Sequence, residues 1–472
     1  MPAVLPAPCD TAEAAQERGA GTSHPALILG ATILASSLSF VDGSVVNVAL
    51  PAIGHSVDAS AAALQWVVNA YLLPLSAVLL LGGAAGDRYG RRRMFLCGIA
   101  AFAFASILCA IAPGLGWLIA GRILQGASAA VLMPNSLAIL GASFVGEERG
   151  KAIGTWAAAG AAAGAIGPLL GGALVDAASW RAIFLINLPL AAGALWLGAR
   201  FVPESHEQDK GGLDWAGAAL GTLGLAGVAW GLTILSGKAK GGGGEWALGA
   251  GLVALAVFAL VERRRGDQAM MPLGLFATSS YVGLSILTLL LYAALGGLFV
   301  VMPFLLIEAG GYSAVQAGAA LLPLPLVIGF ASRAMGRLAA RIGPRLPLTI
   351  GPLVVAGGFA LASRIDPAAS YWTSVLPPLL IVAIGMAGAV APLTTAVMNS
   401  VDAQHAGTAN GANSALARTG SLLATALLGT VLAARGDALV AAVSTASWVA
   451  AGMSAAAGIA ALLLLQAQRL RS

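Results

Sequence analysis

The feature that most constrains this chain is the recurrence, along almost its whole length, of apolar runs of about 18 residues or more, each long enough to cross the hydrocarbon core of a bilayer as a helix. In hydrocarbon no water satisfies backbone N–H and C=O groups, so only helices and closed barrels span it. Composition agrees: 58% of the residues are hydrophobic and 10% charged, against about 25% charged in soluble domains. These runs dictate an all-α polytopic membrane protein. The 62 glycines suit close helix–helix approach, because association in lipid depends on small interfacial residues. The net charge of +5 lies mostly in short loops beside the runs, so it is no nucleic-acid footprint.

Residues 1–25 are polar and Ala-rich, without the basic start and apolar centre of a cleavable signal, and are expected to form a disordered cytoplasmic tail. Beyond them the hydropathy pattern predicts about 14 helices. The first seven fall near 26–49, 63–82, 94–112, 117–140, 152–174, 182–201 and 215–235, and the rest near 246–261, 277–302, 314–332, 347–363, 374–398, 407–434 and 446–466. With both termini cytoplasmic, roughly 18 of the 25 Lys and Arg residues fall on the cytoplasmic side. An odd number of crossings scrambles that bias.

One short polar stretch, Gly83 to Arg93, carries the densest positive charge. Its skeleton of Gly83, Arg88 and Gly90 returns as Gly336, Arg341 and Gly343, between two apolar runs both times. A fixed-spacing echo in matched context indicates internal duplication. The echo equates helices 2–3 with helices 10–11, an offset of eight in a 14-helix chain. Two six-helix bundles, 26–201 and 276–466, joined by two inserted helices within 202–275, yield that offset; residues 467–472 form a second cytoplasmic tail.

Asp42 is the one acidic residue well inside a predicted span. A carboxylate there costs on the order of 2.5–3.5 kcal/mol by insertion scales and marks a pathway in many transporters. By helical rise Asp42 lies roughly 12 Å, and Arg122 on helix 4 roughly 8 Å, from the outer surface. The two are at similar depth and able to pair across a bundle, as a proton-titrating carboxylate tuned by a cation or as a static salt bridge. Arg418 lies near mid-membrane on helix 13 without an acidic partner; carbonyl or Asn contacts are favoured for it over substrate. Asn47, Tyr71 and Gln125 are further candidate cavity or mid-membrane polar groups. In helix 5, Gly160, Gly164, Gly167, Pro168, Gly171 and Gly172 mark close packing or a bend. Pro323, Pro325, Pro377 and Pro378 suggest bends near a cavity, which Trp66, Tyr71, Trp156, Tyr292 and Phe299 are candidates to line. Cys9, Cys97 and Cys109 lack metal spacing, no His cluster or nucleophile–base pattern is present, and the reading includes no metal, no cofactor and no enzyme activity.

Taken together these stretches resemble the major facilitator superfamily in its 14-helix drug/proton antiporter branch. Gly83, Asp87, Arg88, Gly90, Arg91 and Arg92 resemble the loop 2–3 signature G-x-L-x-D-R-x-G-R-R, with Ala85 for Leu. Val41 to Pro51 resembles the helix 1 signature L-D-x-T-I-V-N-V-A-L-P, with Ser44 for Thr. Arg122, Gln125 and Gly126 resemble R-x-x-Q-G of helix 4. Gly167, Pro168, Gly171 and Gly172 resemble the antiporter motif of helix 5, with Gly164 three residues before Gly167 where that motif has four. Trp180 and Arg181 with Phe184, Asn187 and Pro189, and later Arg418 with Gly420, also fit the branch. The resemblance implies a rocker-switch antiporter of a bacterial cytoplasmic membrane, monomeric, exporting hydrophobic or amphipathic small molecules against protons amid membrane lipids. It implies proton handling by Asp42 and Arg122, and gating by Asp87 with the loop 2–3 arginines. Ala340 stands where Asp87 does in the first copy, so gating is expected to differ between the halves. A uniporter, a small-metabolite importer and a non-transporting sensor of the same fold are the competing readings.

Overall fold

A computed structural model describes residues 24–206, 213–237, 243–266, 269–402 and 405–465. The expected tails lie outside the described residues, apart from His24 and Pro25. Fourteen helices are long and apolar enough to cross a membrane, and the chain is a multi-pass membrane protein. They are α1 (Pro25–Val57), α2 (Ala61–Tyr89), α3 (Arg91–Ala110), α4 (Leu115–Ser143), α5 (Gly146–Ala177), α6 (Ala182–Phe201) and α7 (Trp215–Ser236). The remainder are α8 (Gly244–Arg265), α9 (Ser279–Glu308), α10 (Ala314–Ile342), α11 (Arg345–Ala362), α12 (Leu376–Asn399), α13 (Ala406–Ala433) and α14 (Asp437–Leu464).

Local chemistry sets the ends. The Ser60 hydroxyl accepts from Ala63 N–H at 3.3 Å to start α2, and Asp214 accepts from Gly217 N–H at 2.7 Å to start α7. Ser313 and Gln316 close a capping box on α10. Some expectations shift. The expected short helix at 246–261 is a 22-residue α8, and α14 begins at Asp437 rather than 446. Helix α10 is broken between Ala320 and Pro323, where the proline ring suits a fresh helical start. Pro377 and Pro378 bend nothing: they lie in the first turn of α12, whose internal proline is Pro392.

The Gly83–Arg93 stretch is less a loop than two helices meeting. Helix α2 runs to Tyr89, α3 starts at Arg91, and Gly90 alone turns the chain with φ 103°. A Cβ at Gly90 would also press on the Glu204 carboxylate, so the position requires glycine. In the second copy Gly343 turns α10 into α11 with φ 83°. Helix packing repeats with the same offset of eight. Helix α1 packs on α5 and α6, α2 on α4, and α3 on α4 and α6; α9 packs on α13 and α14, α10 on α12, and α11 on α12 and α14. The cross contacts are reciprocal as well, α5 with α10 matching α13 with α2, while α1 meets α9. Helices α7 and α8 pair with each other, and α7 rests on α2 and α13.

Backbones approach closely where glycine allows it. A Cβ at Gly126 of α4 would collide with the Tyr71 carbonyl of α2, whereas one at Gly164 of α5 would meet nothing within 4 Å. Gly126→Val is therefore expected to lower stability by about 1–3 kcal/mol, read as the thermal unfolding midpoint of detergent-purified protein. Gly164→Val should change it by less than about 0.5 kcal/mol.

Candidate functional site

Helix α1 carries Asp42 into the interior of its bundle, where it is 0% exposed; Arg122 of α4 is 1% exposed. The Arg122 guanidinium donates to Asp42, to the Gln125 side chain at 2.9 Å and to the Val67 carbonyl of α2 at 3.1 Å. Gln125 donates to Asp42 at 3.1 Å and to the Ser106 hydroxyl of α3 at 2.9 Å. Asn187 of α6 donates to Asp42 at 3.2 Å and to Ser106 at 3.2 Å. Tyr71 lays its ring 4.4 Å from the Arg122 guanidinium carbon and shares a 2.7 Å hydrogen bond with Ser39 of α1. Five helices, α1, α2, α3, α4 and α6, thus meet at one pair of opposite charges. Burying a carboxylate and a guanidinium is costly unless geometry and further hydrogen bonds compensate, and here the surrounding amides and hydroxyl supply those bonds.

Beside this network lies a cavity of about 750 Å³ between α2, α4 and α5 on one side and α13 on the other, with residues 213–214 and 269–272 at its rim. It reaches the surface at the end of the molecule bearing the Gly83–Arg93 turn. Leu79, Met133, Leu137 and Trp156 make its walls apolar, while Asn410, Ser414 and Arg418 form a polar stripe on α13. At the rim Asp87 accepts from Arg91 at 3.0 and 2.8 Å. Asp214 pairs with Arg265 at 2.8 Å and accepts from Met270 N–H at 3.2 Å. Burial opposes its charge, but hydrogen bonds from Glu262, Gly217 and Met270, with the Arg265 guanidinium, hold the Asp214 carboxyl below the usual carboxylate range.

The opposite end is shut. A Cβ at Gly172 of α5 would strike the Ala314 carbonyl of α10, and one at Gly318 the Pro168 carbonyl. The Asp176 carboxylate accepts from Ala314 and Val315 N–H at 3.2 and 2.8 Å, an anion on the N-terminus of α10. Gln65 of α2 donates to the Thr425 and Ala426 carbonyls of α13 at 2.9 Å each. Glu308 of α9 pairs with His55 of α1 at 3.1 Å and with Arg435 at 3.4 Å.

The structure thus brings Asp42, Arg122, Gln125 and Tyr71 together, and Gln125 belongs to the charge network rather than to the cavity wall. Asn47 is buried, away from the cavity, with its carbonyl oxygen unpaired. Gly83, Asp87 and Arg91 line the cavity rim; Arg88 is exposed, and Arg92 N–H caps onto Glu204 at 3.0 Å. Gly160, Gly167 and Gly171 face α1 and Gly172 faces α10, while Gly164 packs on nothing. Among the described residues Arg418 makes neither the expected carbonyl nor the expected Asn hydrogen bond. Of the candidate cavity aromatics Trp156 lines the cavity, whereas Trp66 packs tilted at 49° on Trp230 of α7, ring centroids 5.4 Å apart. Cys97 is exposed and Cys109 is buried. Sequence reasoning missed Ser106, Asp176, Glu204 and Glu308. Asp176 and Glu308, acids at helix ends, were the signals available.

A model of the Major Facilitator Superfamily matches residues 32–425. The chain is 36% identical over 409 residues to the puromycin resistance protein pur8 of Streptomyces alboniger, covering 84% of this chain and 80% of that one. It is 34% identical over 417 residues to the multidrug resistance protein Stp of Mycobacterium tuberculosis, covering 86% and 76%. Against the cephamycin export protein CmcT of Amycolatopsis lactamdurans it is 34% identical over 420 residues, covering 87% and 85%. A bacterial homologue of the lysosomal transporter Spinster, solved inward-facing and unoccupied, shares the fold with TM-score 0.65 at 18% identity, covering 95% and 99%.

If the charges act as one unit, removing one costs more than removing both. Arg122→Gln is expected to destabilise the purified protein by about 3–5 kcal/mol, and the double variant Asp42→Asn/Arg122→Gln to recover most of that loss in thermal unfolding.

Proposed function

The chain belongs to the Major Facilitator Superfamily and is a membrane transporter rather than an enzyme, and on that premise we propose that it is a proton-driven exporter of hydrophobic or amphipathic small molecules, drugs, antibiotics and dyes, across a bacterial cytoplasmic membrane. Relatives named for antibiotic resistance and export support the cargo class. The observation that carries the reading is Asp42: a carboxylate sealed in the bundle, held by Arg122, Gln125 and Asn187. Tyr71 links it to the cavity side, lying within electrostatic range of both Asp42 and Arg418. Protonation of Asp42 frees Arg122 and removes the charge that binds α1 to α4, which couples a proton to helix rearrangement. Each charge moving inward down 100 mV supplies about 2.3 kcal/mol, enough for a modest gradient of a neutral cargo.

In this reading the bundles are residues 26–201 and 276–466, with 202–275 between them, and the rim bearing Asp87 and both termini face the cytoplasm. The cavity is then open inward. Outward opening requires breaking the Asp176, Gln65 and Glu308 contacts at the far end and closing the bundles around Asp87.

Asp42→Asn, at equal membrane level, is expected to abolish dye or antibiotic efflux driven by an imposed proton gradient in cells. Equal export by both forms would place the coupling group elsewhere. Asp176→Ala removes the carboxylate from the start of α10, and spin labels at positions 178 and 313 should report a longer α5–α10 distance in electron–electron resonance. An unchanged distance distribution counts against the far-end closure.

A further inference from the structure

Resting on the exporter reading, we propose that the cavity favours amphipathic substrates bearing an anionic group, such as a carboxylate, sulfonate or ionised phenol, and that Arg418 is the group that binds it. Among the residues of α13 that line the cavity, Gly407, Gly411, Ser414 and Arg418 follow helical spacing. Counted from Ala406, Arg418 stands roughly 18 Å up the helix, at the deep end of that stripe.

Its charge is uncompensated. Among the described residues Arg418 makes no ion pair or hydrogen bond, although it lines an apolar cavity. Among the described residues the carboxylates that line the cavity or lie behind it are matched. Asp87 is bound by Arg91 and Asp214 by Arg265 at the rim, and Asp42 with Arg122 forms a pair behind Tyr71. His405 lines the cavity at the start of α13. The groups within electrostatic range of Arg418 are the phenols of Tyr71 and Tyr292. Among the described residues of the wall no carboxylate pairs with the guanidinium, whose planar donors suit a bidentate oxyanion. A lone cation in an apolar environment is costly, and an incoming anion relieves that cost where a cationic molecule would add to it. The volume, about 750 Å³, is that of a site for a drug-sized ligand, with leucines, Met133 and Trp156 left for its hydrophobic body.

The test is equilibrium binding of three planar dyes of similar size to the purified full chain, read by fluorescence anisotropy: anionic fluorescein, neutral Nile red and cationic rhodamine 6G. Wild type should bind fluorescein about tenfold more tightly than rhodamine 6G. R418Q should erase that preference while leaving Nile red binding unchanged, which also reports an intact cavity, and R418K should keep it. Equal or tighter rhodamine binding by wild type overturns the proposal, as does a preference surviving in R418Q or an absence of binding by all three dyes. Efflux of the same dyes from cells separates the two readings. Preferential binding without export removes the exporter reading and leaves the Arg418 assignment, whereas export without charge preference does the reverse.

Discussion

Hydrocarbon gives helices no hydrophobic reason to associate and gives a polar side chain no water to fall back on, and every notable feature of this molecule answers one of those two facts. The first is answered by glycine. Where α2 meets α4 and where α5 meets α10, a Cβ would strike backbone, so the helices gain contact that lipid cannot match. The second is answered by networks that close on themselves, with Asp42 and Arg122 at the centre of the most extensive one.

The two arginines of the membrane interior are handled in opposite ways. Arg122 is held from within the bundle, meeting a carboxylate, an amide oxygen, a backbone carbonyl and an aromatic face. Arg418 meets none of these and fronts the cavity. One guanidinium is internal, the other is addressed outward to whatever enters. Tyr71 stands between them, its phenol tied to α1 through Ser39, so charge on one side is felt on the other.

Much of this architecture was legible in the chain because the bilayer imposes length and sidedness. Run lengths fix 14 crossings, and the spacing of Gly83, Arg88 and Gly90 repeated at Gly336, Arg341 and Gly343 carries the offset of eight that helix packing also follows. Depth counting put Asp42 and Arg122 at one level because helical rise is constant. What was illegible depends on direction around a helix. Ser106 and Asn187 are ordinary residues in apolar runs, and only packing turns them toward Asp42. Gly164 sits in a motif-like string yet faces away, since a departure of one residue in spacing rotates a position by about 100°. The turn at Gly90 looked like a loop because its arginines are polar, yet both flanks are helical up to the glycine.

Helix α7 lies over the line where α2 and α13 meet, sharing a small apolar core with Leu73, Leu422 and Ala426 and packing Trp230 against Trp66. The matching line between α5 and α10, where Gly172 and Gly318 bring the backbones together, has no comparable helix packed on it among the described residues. The molecule is therefore braced on one flank and unbraced on the other. The repeat in helix packing would present two equivalent flanks in the plane of the bilayer; α7 removes that equivalence, so the molecule has a front and a back as well as two ends.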